Sequence, residues 1–226
     1  MFQSWWLADM WHDEPVRAIS WIFWVIFSIC CHELGHGYAA IHKGDDTPIV
    51  TGHMTWNPIV HMGMFSLIML LVAGISWGAM PVNPNRLRGR YADAYVAAAG
   101  PAVNFALFVI CAVLSIFWLA LPRFVGDEPW NNIQVFLECG CALNIVLMLF
   151  NLIPVPPLDG SKIVASYVSS YREFVYSENG AVVSLIGFVL LFSVFGKYVA
   201  LVGFVIASVV VFGGASLLAP FLGGNP

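Results

Sequence analysis

Charged side chains are scarce in this chain of 226 residues. They make up 10% of it, whereas hydrophobic residues make up 60%. Soluble domains carry about a quarter charged residues, so this composition excludes a domain whose whole exterior faces water. The mean hydropathy of +0.83 agrees, and we interpret the chain as an integral membrane protein.

Basic residues are equally few, and the nine lysines and arginines form no patch beyond Arg86, Arg88 and Arg90. A nucleic-acid partner is therefore not expected, because such binding needs clustered positive charge.

The cysteines number five, most of them in apolar runs: Cys30, Cys31, Cys111, Cys139 and Cys141. An odd number cannot all pair, and we interpret them as small buried hydrophobic residues rather than a disulfide framework.

Long apolar runs are what the chain has in abundance. A helix needs about 20 apolar residues to span a bilayer. The candidate stretches are 15–43, 62–80, 91–121, 131–153, 181–197 and 199–218. The pattern predicts an all-α polytopic membrane protein with about five to six transmembrane helices and a re-entrant or hairpin segment near 50–80.

The first apolar stretch contains a polar cluster. It lies within residues 28–37, whose sequence is SICCHELGHG. His32 and His36 are four positions apart, so on a helix they lie one turn apart on the same face and can bind one Zn²⁺. Glu33 lies beside them and can act as a general base on water. The alternative is a pair of histidines that hydrogen-bond between helices, but intramembrane His and Glu are costly and are rarely kept without a role.

A catalytic zinc site needs a third protein ligand besides His32 and His36. The candidates are His42, His53, His61, Asp93, Glu138 and Asp159. Asp159 stands in the segment FNLIPVPPLDGSK, whose prolines prevent a regular helix. Irregular backbone at membrane depth occurs only where it is buried in protein or lines a cavity. We therefore expect Asp159 to be the third ligand.

A stretch of small residues, AAAGPAVNF at 97–105, lies between these two motifs. Small residues allow helices to approach closely, so we interpret the stretch mainly as a packing surface. Asn104 could add a hydrogen bond to the HELGH helix. Asn151, just before the proline-rich segment, is either a helix-terminus cap or a group that hydrogen-bonds substrate.

These motifs, in this order, resemble the site-2 protease family of intramembrane zinc metalloproteases, over about residues 20–165. The shared elements are HELGH, AAAGPAVNF and NLIPVPPLDG, together with TGHMTWNPIVHMG and MPVNP, which resemble the compact branch without a PDZ domain. The chain departs from many compact relatives at 61–64, where it reads HMGM rather than containing an aspartate-proline pair.

The resemblance implies one Zn²⁺ per chain, held by His32, His36 and Asp159, with Glu33 as the catalytic acid/base and Asn151 at the active site. It implies a single membrane-embedded metalloprotease domain over 1–226, with a catalytic core at about 15–162 and a C-terminal helix pair at about 181–218. The expected reaction is hydrolysis of peptide bonds within or near transmembrane segments. The expected partners are a transmembrane protein substrate, the lipid bilayer and an upstream protease that cuts the substrate first. A prokaryotic cell membrane is the expected location.

The zinc site places a condition on topology. If every apolar stretch crossed the membrane, Asp159 would emerge on the side opposite to His32 and His36. The ligands can meet only if the chain between them crosses an even number of times. We therefore predict that segment 62–80 does not span, and Gly63, Gly74, Gly78 and Pro81 favour such a broken path.

Charge then predicts orientation. With segment 62–80 re-entrant, six basic residues lie on the HELGH side and three on the other, so the positive-inside rule places the active site nearer the cytoplasm. Five crossings would also place the C-terminus in the cytoplasm.

Two rival functions follow from the same residues. A metal or proton transporter would also carry intramembrane His, Glu and Asp residues, but they would more often be spread over several helices. A non-catalytic relative could bind transmembrane helices without cutting them, but the intact Glu33 argues against it. The sequence leaves the roles of His53, His61 and Glu138 open.

Overall fold

The computed structural model describes residues 6–223, and within that range the chain is helical, with no strand. The helices are α1 (Trp6–Asp13), α2 (Pro15–His42), α3 (Thr47–Val50), α4 (Pro58–Ala73), α5 (Ala92–Ala120), α6 (Asp127–Asn151), α7 (Asp159–Tyr167), α8 (Ser169–Val175), α9 (Glu178–Leu190) and α10 (Gly196–Leu222). A π-helical turn, Leu191–Phe195, joins α9 to α10. The predicted all-α class is confirmed.

Four helical segments of the described chain are long and apolar enough to cross a membrane: Pro15–His42, Ala92–Ala120, Asp127–Asn151 and Val182–Leu222. The protein is thus an integral, polytopic membrane protein. The count is lower than the five to six expected, for two reasons. The expected C-terminal pair forms one continuous helical run, and α4 has only 16 residues, about 24 Å, which is shorter than a bilayer core of about 30 Å.

Helices α2, α5 and α6 pack together as the core of the molecule. The indole N–H of Trp24 donates to the carbonyl of Phe136 over 2.8 Å, and the backbone of Gly140 lies directly against the same indole. Gly35 likewise lies against Val103 and the carbonyl of Ala99. The missing side chains at these glycines let the helix backbones approach closely.

Helix α10 covers α5 and α6 with a stripe of small residues. The buried residues recur every four positions: Gly203, Ala207, Val211, Ala215 and Ala219. Gly203 lies against Val146 near the end of α6, and Gly214 lies against Ile116 near the end of α5. Because α5 and α6 end on opposite sides, α10 runs from the α6 end to the α5 end. The described chain therefore has four candidate crossings, fewer than the five expected, and α10 ends on the side where α2 begins.

The segment over 58–80 forms a hairpin instead of a crossing. Helix α4 is kinked at Gly63 (φ 69°, ψ 159°). After α4 the chain returns in extended form: the N–H of Trp77 donates to Ser66 Oγ over 2.8 Å, and the N–H of Ala79 donates to the carbonyl of His61 over 2.9 Å. The predicted hairpin near 50–80 is thus present, and two crossings, α5 and α6, separate the HELGH motif from Asp159.

Candidate metal and catalytic site

Helix α2 places the HELGH motif in the protein interior. His32, Glu33 and His36 are each 7% exposed, and His32 lies ten residues, or about 15 Å, before the end of α2 at His42. Asp159, 6% exposed, is the first residue of α7 and follows the proline-rich segment. The site therefore forms where a transmembrane helix meets an irregular segment at membrane depth.

The structure brings His32, His36 and Asp159 together. His32 Nε2 lies 3.0 Å from His36 Nε2 and 3.1 Å from Asp159 Oδ2. His36 Nε2 lies 3.2 Å from the same carboxylate oxygen. These three atoms form a nearly equilateral triangle, contributed by α2 and α7.

The other ring nitrogens of the two histidines fix their tautomers. His36 Nδ1 is 2.7 Å from the carbonyl of Val96, which can only accept, so the proton of a neutral ring lies on Nδ1. His32 Nδ1 is 2.6 Å from Asn104 Oδ1 and donates in the same way. In both neutral rings Nε2 is therefore an unprotonated acceptor.

Asn104 is oriented by a hydrogen-bond chain across three helices. The amide of Asn144 donates to the carbonyl of Gly140 over 2.9 Å, which leaves its oxygen free to accept. The amide of Asn104 donates to that oxygen over 3.1 Å, so the Asn104 oxygen faces His32. Both asparagines are 0% exposed. The carbonyl of Gly140 thus sets the direction of every bond as far as His32.

The three converging atoms suit a zinc ion. Two imidazole lone pairs and a carboxylate oxygen, all acceptors, lie within 3.2 Å of one another, an arrangement that a cation stabilises. In a tetrahedral site with bonds of about 2.0 Å, ligand atoms are about 3.3 Å apart. A Cβ atom at Gly100 would lie 2.5 Å from the Nε2 atoms of both histidines, so glycine keeps this space open. The donor set therefore fits zinc.

Glu33 faces a cavity of about 580 Å³ that opens beside the triangle. The extended segment after α4 forms one wall of this cavity, and the backbone of Gly78 lies so close that a Cβ there would be 2.5 Å from Glu33 Oε1. Asn151 also lines the cavity, and its amide donates to the carbonyl of Leu147 over 3.1 Å. Asn151 therefore bonds to the preceding turn of α6 and also lines the cavity.

The remaining ligand candidates lie apart from the triangle. His53 and His61 bond within their own loop, to Thr51 and to the carbonyl of Thr55. Glu138 accepts from Gln134. Asp93 lines the cavity but does not belong to the group of potential ligands.

Several residues around the site were not identified from the sequence. Gly100 lies against His32 and His36, and Gly78 lies against Glu33. Asn144 bonds to Asn104 and so acts on His32 through it; its signal in the sequence is an amide in an apolar run. Asp45 was also not identified. Its carboxylate accepts from the N–H of Asn83 over 2.7 Å and so anchors the end of the extended segment.

Comparison with known proteins gives concordant matches. Residues 20–194 match the family described as Peptidase family M50. The chain is 40% identical over 151 residues to "Putative zinc metalloprotease YwhC" of Bacillus subtilis, which covers 64% of this chain and 67% of that protein. It is 31% identical over 146 residues to "Putative zinc metalloprotease Rip2" of Mycolicibacterium smegmatis, covering 60% of this chain and 52% of the relative.

An archaeal relative aligns over more of this chain at lower identity. "Zinc metalloprotease MJ0392" of Methanocaldococcus jannaschii is 24% identical over 202 residues, or 86% of this chain and 49% of that protein. The matched region thus spans about two thirds of the Bacillus relative and about half of the other two. No solved structure gives a significant match.

Proposed function

This chain belongs to peptidase family M50, the site-2 protease family of zinc metalloproteases, and we propose that it cleaves peptide bonds within or near transmembrane segments of membrane proteins. The observation that carries this proposal is the position of the triangle. His32, His36 and Asp159 converge inside a bundle of membrane-crossing helices, about 15 Å from the end of α2. A substrate peptide bond must therefore reach membrane depth.

In this proposal His32, His36 and Asp159 hold the zinc ion. When bound, zinc polarises the scissile carbonyl and lowers the pKa of water to about 7. Glu33 takes the proton of the attacking water and returns it to the leaving amine nitrogen. The second amide N–H of Asn151 hydrogen-bonds the substrate backbone or the developing oxyanion, a contribution of about 3 kcal/mol in comparable sites.

The extended segment over 75–83 supplies a docking edge for an unwound substrate. Trp77 and Ala79 use their N–H groups within the hairpin. Gly78, Met80 and Val82 alternate with them, line the catalytic cavity, and make no backbone hydrogen bond to another described residue. Because alternate residues of an extended chain present their N–H and C=O groups on the same edge, a substrate strand can pair along these positions.

Charge supports an active site nearer the cytoplasm. Lys197 precedes Gly203, which packs beside the end of α6, so Lys197 joins the HELGH side. Seven of the nine basic residues then lie on that side: Lys43, Arg86, Arg88, Arg90, Lys162, Arg172 and Lys197. The positive-inside rule orients this side towards the cytoplasm of a prokaryotic cell. In the same proposal, another protease acts first on the substrate and removes its bulky domains outside the membrane.

The central test combines zinc analysis with cleavage of a single-span substrate in detergent. The wild-type protein should hold about one zinc per chain and cut the substrate. Glu33→Gln should retain the zinc and lose cleavage, because the amide cannot accept the proton. Glu138→Gln is the matched control, since it alters a half-buried glutamate outside the site, and it should cleave normally. Wild-type cleavage rates in Glu33→Gln would refute the proposed mechanism.

A further inference from the structure

A second cleft, of about 470 Å³, lies where α2 ends and α5 begins, with α7 as its third wall. Its lining is dominated by three cations and three tyrosines: Lys43, Arg88, Arg90, Tyr91, Tyr95 and Tyr167. Among the described residues, no aspartate or glutamate lines it. Of the cleft residues, only Arg90 also lines the catalytic cavity, so the two sites are distinct.

The cations of this cleft have no acidic partners among the described side chains. Neighbouring basic residues do: Arg86 pairs with Asp46, and Lys162 Nζ lies 4.0 Å from Asp159 Oδ1. Five basic residues on this side have no acidic partner among the described side chains, and three of the five line the cleft.

The three cations are held in place by aromatic and backbone contacts. Lys43 Nζ lies 4.4 Å from the centre of the Tyr95 ring, and the Arg90 guanidinium lies 5.1 Å from the centre of the Tyr91 ring. The backbone N–H of Arg88 donates to the carbonyl of Lys43 over 2.8 Å. Like charges are thus gathered at one place, where an anion would relieve their mutual repulsion.

The depth of the cleft indicates the kind of anion. Lys43 directly follows the span that ends at His42, and Tyr91 directly precedes the span that begins at Ala92. The cleft therefore lies at the membrane–water boundary, where lipid phosphates are found. Tyrosines are enriched at this level, and basic pockets between transmembrane helices bind lipid headgroups.

We propose that this cleft binds the phosphate of an anionic phospholipid headgroup. Lys43, Arg88 and Arg90 supply the charge, and the tyrosine hydroxyls supply further donors. Binding here requires only that the chain lies in a membrane and does not depend on proteolysis. The ring of Tyr91 stacks on Tyr167 at the end of α7, with centroids 4.7 Å apart. An occupied cleft would therefore hold α7, the helix that begins at Asp159, against α5.

The test is calorimetric titration of the purified full-length protein in a neutral detergent with short-chain phosphatidylglycerol. Each cation near a membrane surface contributes about fivefold in affinity for anionic lipid. The double variant Lys43→Gln/Arg88→Gln should therefore bind phosphatidylglycerol about 25-fold more weakly than the wild type. The matched control Arg123→Gln/Lys197→Gln removes two positive charges outside the cleft and should bind as the wild type does.

Separate titrations distinguish the sources of phosphate. Short-chain phosphatidylcholine should bind at least tenfold more weakly than phosphatidylglycerol, and inorganic phosphate should not compete at equal concentration. Effective competition by inorganic phosphate would assign the cleft to a free phosphate and overturn the lipid. Equal affinity in the double variant and the wild type would overturn the site. If the double variant does not fold, unchanged affinity in both Lys43→Gln and Arg88→Gln has the same meaning.

Discussion

The orientation of a single imidazole depends on residues far from it in the chain. His32 donates through Nδ1 to Asn104, and Asn104 is held by Asn144. Outer hydrogen bonds of this kind typically change metal affinity by 10- to 100-fold. We therefore expect Asn104→Leu, which leaves a buried N–H unpaired, to weaken zinc binding by about that factor in competition with a chelator.

Asn104→Asp is the informative partner of this variant. A carboxylate still accepts from His32 Nδ1, so zinc affinity should return to within a few-fold of the wild type even though the donor to Asn144 is lost. If Asn104→Leu bound zinc as tightly as the wild type, the hydrogen-bond chain would have no part in ligand positioning.

The glycine beside Glu33, the proposed general base, leaves no room for a side chain. A Cβ at Gly78 would lie 2.5 Å from Glu33 Oε1 and 2.7 Å from Ile29 Cγ2, closer than atoms can approach. We expect Gly78→Ala to displace the Glu33 carboxylate and reduce the cleavage rate at least tenfold while zinc content stays near one per chain. Gly213→Ala, whose Cβ would meet nothing within 4 Å, should leave cleavage unchanged, and equal activity of the two variants would contradict this account.

Some of these residues could be predicted from the sequence because local spacing places them, and others could not because their contacts come from distant parts of the chain. His32, Glu33 and His36 follow from helical spacing, and Asp159 from a proline-rich segment that must face protein. Asn104 was expected chiefly to pack, because a single sequence does not show that Asn144 turns its oxygen towards His32. Gly78 contacts Glu33 only after the hairpin has folded back, and such long-range contacts leave no local pattern.

At the scale of elements, the extended wall of the catalytic cavity is anchored by Asp45. This fully buried carboxylate accepts from the N–H and hydroxyl of Thr47 and from the N–H of Asn83. Burial acts to raise the pKa of Asp45, but the hydrogen bonds from Thr47 and Asn83 and the charge of Arg86 outweigh it, so the pKa lies below its usual value. The folded protein thus favours the ionised form.

The sign of this pKa shift predicts a pH dependence. A lowered pKa contributes stability above the unfolded value of about 3.9, and this stability is lost as the pH falls through the folded value. Asp45→Asn should lower the free energy of unfolding by about 1–3 kcal/mol at pH 7, and its difference from the wild type should shrink below about pH 4. Thermal melts of metal-free protein in detergent measure both effects.

The neighbouring acid provides the control for Asp45. Asp46 is exposed and pairs with Arg86 at the surface, and such pairs contribute about 0–1 kcal/mol. Asp46→Asn should therefore keep both the stability and the pH profile of the wild type. A constant difference between Asp45→Asn and the wild type from pH 7 to pH 3 would show that ionisation of Asp45 is not involved.

Elements were predictable where their length and hydropathy were decisive. The first span, the α5 and α6 spans and the non-spanning hairpin follow from apolar length and from the need for the ligands to meet. The C-terminal run was expected as two helices, over 181–197 and 199–218. A π-helical turn at Leu191–Phe195 instead joins its parts into one continuous run, and Gly196 and Lys197 force no break in a backbone that hydrogen-bonds internally.

For the whole molecule, the four candidate crossings place both ends of the described chain on one side and the proposed active site nearer the other. The direction of α10 carries this conclusion, because Gly203 packs beside Val146 and Gly214 beside Ile116. With α10 in this direction, Lys197 lies on the HELGH side. Seven basic residues are then on that side and two on the other, instead of the six and three expected from the sequence. The proposed orientation, with the active site nearer the cytoplasm, rests on this charge asymmetry.

Cysteine labelling tests this topology directly. The five native cysteines are buried and can be replaced by alanine. In intact cells, Phe124→Cys and Phe221→Cys should react with a membrane-impermeant maleimide, because both lie on the side opposite to the active site. Asn85→Cys, on the short 3₁₀ turn Pro84–Arg86 before α5, should react only after the cells are permeabilised. Labelling of Phe221→Cys only after permeabilisation would restore a fifth crossing, and labelling of Asn85→Cys in intact cells would reverse the orientation.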